Sequence, residues 1–360
     1  MATSSETPAA APVPLGLAEK ALGALPAQPA STPGVRISGT GMWVPPRCVT
    51  NAELALKVDT SDEWIRTRSG IACRRIADTH ETPAYMAVRA ASQAIANAGL
   101  TSQDIDLLIL ATMTPDKLFP ATAIRVQHEL GLRPIPAFDM EVACSGFVYA
   151  AEVAWRMLTA GPYRHALVIG AEKVSSFIDW EDRTTCVLFG DGAGAVVLSQ
   201  DSGLGAGRGI LGSLLGSDGC QAQLFDLPAG GAAKPASFVS VQNKEHYLRM
   251  NGKEIFKHAV RVMEQCAREV LAAHGLGPES LDWVIPHQAN IRILEALAER
   301  LTIPMSKVVC NLDQYGNTSA ATIPIALHET VKSGKIKPGD TVLFVAFGAG
   351  LSWGAMLYRA

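Results

Sequence analysis

Short runs of Val, Ile and Leu with no alternating polar position recur along the chain: LLILATM at 107–113, HALVIGA at 165–171, CVLFG at 186–190, AVVLS at 195–199, DWVIP at 282–286 and TVLFVAF at 341–347. A run without a polar side is what a strand buried on both faces requires. Between them lie longer stretches with apolar residues three and four apart, such as TPAYMAVRAASQAIANAG at 82–99 and EIFKHAVRVMEQCAREVLAAHG at 254–275. That spacing gives a helix one buried stripe. The alternation predicts an α/β fold.

The pattern repeats. ANAGLTSQDIDLLIL at 96–110 matches AAHGLGPESLDWVIP at 272–286 at an offset of 176, with Ala, Gly-Leu, Asp and Ile in identical places. Two further pairs fit the same offset within a few residues: the turn around Cys144 with GNTSAATIPIAL, and HALVIGAEK with TVLFVAFGAG. Such self-similarity implies duplication. Two homologous halves, 35–208 and 209–360, are expected to bring equivalent turns together at a pseudo-twofold axis. Residues 1–34, rich in Ala, Pro and Ser, read as an extension that cannot bury much apolar area. Within it, LGLAEKALGAL has the spacing of a transient amphipathic helix.

Composition narrows the function. At 360 residues and 48% hydrophobic, the chain can bury a large core, and a formal charge of -3 offers no field for nucleic acid or an anionic membrane. No apolar run approaches the roughly 18 residues of a membrane span. Seven cysteines, an odd number without a C-x-x-C pair, argue against a disulfide framework or a zinc site and for a cytoplasmic chain.

Three polar residues stand at strand-to-helix junctions. Cys144 lies between AFDMEVA and a helix expected to begin near Gly146, where unpaired N–H groups and the positive end of the helix dipole lower a thiol from its usual value of about 8.5. The alternative is a cysteine that fills core space, the reading kept for the other six. His287 follows the strand DWVIP, where open α/β sheets place ligands, or it caps the next helix. Asn317, between a glycine turn and a helix of small residues, reads as an N-cap when taken alone. The repeat sets the Cys144 and Asn317 turns in equivalent places beside His287.

Other motifs carry less. AFGAG at 346–350 can bend close to a neighbour and aim an N–H at a developing oxyanion. GDGAG at 190–194 precedes a strand rather than a helix and lacks the Lys of a phosphate loop, so it reads as a structural bend. Thr60 to Glu63 has the spacing of a capping box, opening a helix that presents Trp64, Arg66 and Arg68 to a nucleotide such as the adenosine end of coenzyme A. Lys253, Lys257 and Arg261 share one helix face, with Arg292 and Arg300 on another, and would suit an acidic carrier.

Taken together, VDTSDEWIRTRSGI, ACSGFVYA, FGDGAGAVVL, IPHQANIRI, YGNTSAATIP and AFGAGLSWG, in this order and spacing, resemble β-ketoacyl-acyl-carrier-protein synthase III, a condensing enzyme of the thiolase fold. The resemblance runs from Val35 to the C-terminus. It implies a five-layer αβαβα sandwich, an acyltransferase using acyl-coenzyme A and malonyl-acyl-carrier protein, and a homodimer. No metal or redox cofactor is implied, coenzyme A thioester being a substrate. Cys144 would be acylated, with the N–H groups of Cys144 and Ala349 as oxyanion hole, while His287 and Asn317 handle malonyl decarboxylation. Trp64 and Arg183 would sandwich the adenine with Arg68 nearby, and Asn290, Gly252 and Phe347 would line the substrate passage. Phe119 would close the acyl pocket of the partner copy. Lys253, Lys257, Arg261, Arg292 and Arg300 would dock the carrier.

Three positions depart from the family pattern: Ala349 in place of a glycine, Ser145 in place of the commoner alanine, and Glu299 where a basic residue would extend the docking patch. Activity is expected to survive the first two. They leave a paralogue priming a polyketide or secondary-metabolite pathway as the alternative. A papain-like hydrolase shares the order Cys, His, Asn but places its cysteine in another motif near the N-terminus. A non-catalytic partner subunit would lack Cys144, and elongating condensing enzymes use two histidines.

Overall fold

A computed structural model describes residues 34–205 and 207–360. The expected extension, 1–34, lies outside them except for Gly34, which already opens the first strand. Among the described residues nine strands build the two larger sheets. They are β1 (Gly34–Trp43), β2 (Leu107–Ala111), β3 (Ala137–Met140), β4 (His165–Lys173), β5 (Asp191–Asp201), β6 (Gly209–Ser217), β7 (Trp283–Pro286), β8 (Thr341–Gly348) and β9 (Ser352–Arg359). The first sheet has the order β1-β5-β4-β2-β3 and the second β7-β8-β9-β6. Within them β2 runs parallel to β3 and β4, and β7 parallel to β8, while the remaining neighbours are antiparallel.

Why the strand runs lack polar positions is visible in β8. Val342, Phe344 and Ala346 pack into one apolar cluster, and Leu343, Val345 and Phe347 into another on the opposite face. In β4, Ala166 and Val168 face inward while Leu167, Ile169 and Ala171 face outward. The central cluster is filled from α3 (Gly146–Ala160) and α6 (Thr322–Lys332), which lie between the sheets. The outer face of the first sheet is covered by α2 (Pro83–Asn97), and that of the second by α4 (Gly252–Ala272) and α5 (Ile291–Leu301). The layers are therefore helix, sheet, helix, sheet, helix, the thiolase arrangement. Equivalent elements keep the offset of 176 seen in the sequence: β2 and β7 start at Leu107 and Trp283, β4 and β8 at His165 and Thr341.

Three local expectations change. The helix that carries Trp64, α1 (Asp62–Ser69), is capped by Ser61, whose hydroxyl accepts the Trp64 N–H at 3.1 Å, so the start falls one residue later than a Thr60 box requires. Thr60 Oγ1 is left buried without a partner. GDGAG is not a bend, because β5 begins at Asp191; its glycines permit close packing instead, and a Cβ on Gly190 would sit 2.2 Å from the Tyr315 carbonyl oxygen. Of the six cysteines read as core filler, only Cys186 and Cys266 are buried, while Cys220 and Cys310 are exposed. Among the described residues no helix is long and apolar enough to cross a membrane.

Candidate active site

Cys144 does not sit directly on the end of an α-helix. It is the middle residue of a 3-10 turn, Ala143–Ser145, that runs into α3. Ala143 holds the left-handed φ of 42°, and the Ser145 hydroxyl is tied to the Ser352 carbonyl at 3.1 Å. Gly348, ending β8, lies against this turn, where an added Cβ would stand 2.9 Å from the Cys144 nitrogen. Only glycine lets that strand end approach so closely. The turn therefore faces Ala349, and Ser145 has a hydrogen bond that an alanine there would lack.

The expected lowering of the Cys144 thiol does not hold in this state. Burial outweighs the helix end and pushes the thiol up to about 12; the Ser319 hydroxyl favours the thiolate, and the charge of Glu172 opposes it. Desolvation of a sulfur anion is the larger effect when the group is 4% exposed.

His287 follows β7, its N–H donating to the Val345 carbonyl at 2.9 Å. Its Nδ1 lies 2.8 Å from the Thr322 hydroxyl, and burial holds the imidazole neutral, down to about 3. Asn317 is fixed by the chain around it: its N–H donates to Leu188 at 2.8 Å, and its carbonyl accepts from Gly190 at 3.0 Å. Its side-chain Oδ1 accepts the Ser319 N–H at 2.8 Å. That bond spends the oxygen on the backbone and leaves the amide NH2 for the cavity.

Cys144, His287 and Asn317 come from three separate elements and line one cavity of about 680 Å3. The same walls include Trp64, Arg68, Arg183, Gly252, Lys253, Lys257, Asn290, Arg292, Phe347 and Ala349. Among these walls the Trp64 ring has two guanidinium groups over it, Arg68 4.6 Å and Arg183 5.3 Å from its centre. Arg183 is anchored to the Asp59 carbonyl at 2.7 Å. A planar base between Trp64 and Arg183 needs two contact distances of about 3.5 Å each, so Arg183 must swing outward by roughly 2 Å to admit it. Asn290 caps α5 through its Oδ1 on the Arg292 N–H, and Arg292 stacks over Phe256.

Not every candidate residue gathers here. Phe119 is 84% exposed on the loop before Thr122 and does not line the cavity of its own chain. Arg261 is exposed on α4 beyond the rim, and Arg300, at the far end of α5, is paired with Glu264 at 2.9 Å. Lys257 is paired with Glu254. A second cavity of about 590 Å3 lies on the other side of the nucleophile's turn, lined by Val142 and Ala143 with Met113, Phe177, Leu227 and Leu248. It shares Phe225, Ala349 and Leu351 with the first. Sequence reading missed Thr322, Ser319 and Glu172. The signal for Glu172 was a charged residue closing an otherwise apolar run; for the other two, hydroxyls in a motif already singled out.

Comparison with known proteins follows this geometry. Two family models match: 3-oxoacyl-[acyl-carrier-protein] synthase III over residues 138–219 and its C-terminal part over 271–360. The chain is 50% identical over 323 residues to the β-ketoacyl-[acyl-carrier-protein] synthase III of Caldanaerobacter subterraneus, covering 90% of this chain and 97% of that one. The crystal structure of the Aquifex aeolicus synthase III superposes with a TM-score of 0.84 at 50% identity, over 91% of this chain and 100% of that one. A priming β-ketosynthase from the R1128 polyketide pathway superposes with 0.83 at 35% identity, over 92% and 98%. The polyketide reading is thus the more distant, and the chain belongs to the 3-oxoacyl-[acyl-carrier-protein] synthase III family.

Proposed function

We infer that Cys144, His287 and Asn317 perform the initiating condensation of fatty-acid synthesis, the acyltransferase reaction of this family. The observation that carries the assignment is their convergence on one cavity whose lining includes Trp64 with Arg68 and Arg183 over its ring. In this reading the coenzyme A end of the acyl thioester rests at that ring and its arm passes Gly252, Asn290 and Phe347 toward the sulfur. The second cavity, beyond Ala143, takes the acyl group.

Cys144 attacks the thioester carbonyl, and the N–H groups of Cys144 and Ala349 hold the tetrahedral oxyanion. After coenzyme A leaves, malonyl-acyl-carrier protein enters past Lys253, Lys257 and Arg292, with Arg261 and Arg300 further out. Loss of carbon dioxide puts negative charge on the thioester oxygen. Asn317 Nδ2 is one donor to it. The other is His287 Nε2: the Thr322 hydroxyl lies 2.9 Å from the Ser319 carbonyl, to which it donates, and 2.8 Å from Nδ1, so the ring carries its proton on Nε2 when that hydroxyl turns from the carbonyl to donate to Nδ1. A neutral imidazole that accepts at Nδ1 carries its proton on Nε2. The carbanion then attacks acyl-Cys144 and releases the β-ketoacyl product.

A homodimer suits two exposed features. Strand β3 forms the edge of the first sheet and is half-buried throughout, and Phe119 projects from a nearby loop where a second copy would receive it. The deciding experiment is an acyl-coenzyme A panel with malonyl-carrier protein, following the mass adduct on Cys144 and the condensed product. Condensation surviving in Cys144→Ala would end the assignment.

A further inference from the structure

Among the described residues Arg74 is a fully buried cation whose hydrogen bonds all go to neutral oxygens. It stands in a short strand, Cys73–Arg75, that pairs antiparallel with Cys48–Thr50. Nη1 donates to the Val49 carbonyl at 3.0 Å, while Nη2 donates both to Asn51 Oδ1 and to the Val187 carbonyl, each at 2.8 Å. Nε has no partner. Burying a guanidinium without a carboxylate is costly, and an apolar side chain of similar volume would fill the space at less cost. What an apolar chain cannot supply is a rigid fork of donors.

The two acceptors of Nη2 lead to different parts of one cavity wall. Because Arg74 holds the Asn51 oxygen, the Asn51 NH2 points the other way, donating to Asp62 Oδ1 and to the Ile71 carbonyl at 2.8 Å each. Asp62 is the first residue of α1, and Ile71 follows the Gly70 that caps its end. Asn51 therefore grips both ends of the helix that brings Trp64 and Arg68 to the cavity. Val187 belongs to the segment that brings Arg183, Leu188 and Phe189 to the same cavity, and the next carbonyl, that of Leu188, accepts the Asn317 N–H. The stem of Arg74 packs against this anchor as well. A Cβ on Gly316, which precedes Asn317, or on Gly190, which donates to its carbonyl, would stand 3.2 or 3.3 Å from Arg74 Cβ.

We propose that Arg74 is a positioning residue for the condensation, its Nη2 holding the helix of Trp64 and the anchor of Asn317 in one fixed geometry. It touches no reacting atom. Through Asn51 it sets where α1 presents Trp64 and Arg68 to coenzyme A, and through Val187 it sets where the Leu188 carbonyl places Asn317. Lysine would keep the charge but lose the role, since one ammonium nitrogen lacks the planar fork that meets three acceptors in fixed directions. This role rests on the condensing assignment above.

The test sets the KM for acyl-coenzyme A in Cys144 acylation against the kcat for decarboxylation of malonyl-carrier protein, in Arg74→Met, Arg74→Lys and Asn51→Ala. Both Arg74 variants should raise the KM and slow decarboxylation on the order of 100-fold, the cost of misplacing a reacting group by about 1 Å. Asn51→Ala cuts only the arm to α1. It should raise the KM roughly fivefold, about one hydrogen bond, and leave decarboxylation near the wild-type rate. Should Arg74→Met fail to fold, Arg74→Lys decides, and if neither folds, Asn51→Ala alone decides. A merely structural Arg74 would lose folded protein, lowering both rates by one factor at unchanged KM. That result would overturn the positioning role, as would wild-type kinetics in Arg74→Lys or an unchanged KM in Asn51→Ala. Absence of any adduct on wild-type Cys144 would instead bring down the condensing assignment, and the role of Arg74 with it.

Discussion

The turn at Cys144 and the turn at Ala320, 176 residues later, share one backbone and differ in what they hold out to the cavity. Each is a three-residue 3-10 turn, Ala143–Ser145 and Ser319–Ala321, leading into a central helix, and each starts from a left-handed residue. Each is also closed by the side chain two residues earlier: Glu141 accepts the Ala143 N–H at 3.0 Å, and Asn317 accepts the Ser319 N–H at 2.8 Å. An acid and an amide serve equally as that acceptor. Only the amide keeps two N–H donors to spare, and only the first turn carries sulfur where the second has a methyl group. The same backbone geometry occurs twice, and in the proposed reaction the two turns divide the work: one would hold the acyl group, the other the developing enolate.

Changing either turn separates those duties. The largest effect is expected for Cys144→Ala, which should abolish acyl transfer and condensation, measured with acyl-coenzyme A and malonyl-carrier protein. Next comes Asn317→Asp, which keeps the acceptor for Ser319 but replaces the donors with a charge. It should slow malonyl decarboxylation on the order of 10²- to 10³-fold with little change in Tm, and His287→Ala should lose a similar factor. Thr322→Val removes the partner of His287 Nδ1. It should cost roughly tenfold in decarboxylation, about one hydrogen bond, with recovery in Thr322→Ser.

Smaller effects follow. Because burial keeps His287 neutral down to about 3, decarboxylation should show no acid limb near 6.5, where an exposed histidine would protonate. The same burial works against folding in acid: the unfolded chain protonates His287 below 6.5 while the folded chain does not, so stability should fall as pH drops from there toward 3. Urea unfolding between pH 4 and 7 checks the sign, with His287→Gln flattening the slope. Smallest is Ser145→Ala, which deletes the hydrogen bond to Ser352 and should reduce stability by about 1 kcal/mol without changing the pH profile of acylation.

The layered fold was legible because its physics is local: strands such as Thr341–Gly348 must be apolar on both sides, and the helices over them need one stripe. The offset of 176 was legible for the same reason, since it is written in turn glycines and strand starts. The three candidate residues that line one cavity, Cys144, His287 and Asn317, were legible as polar groups placed where apolar runs stop. What the linear pattern does not display is three-dimensional competition. A thiol's preference for a helix end is overridden by desolvation that depends on every surrounding layer, so the direction of the Cys144 shift was misjudged. The Ser61 cap lost out to a neighbouring Thr60 in the reading because a one-residue shift changes little in the pattern but decides which oxygen meets the Trp64 N–H. Thr322 meets His287 from 35 residues away, and no periodicity encodes that contact.

The division of labour between the two turns is tested most directly by running both half-reactions on one variant. Wild type, incubated with acyl-coenzyme A and mapped by peptide mass, should carry the acyl group on Cys144 alone. Cys144→Ala should carry none, yet still release carbon dioxide from malonyl thioester through His287 and Asn317. Acyl label on another residue in wild type, or condensation persisting in Cys144→Ala, would contradict the account.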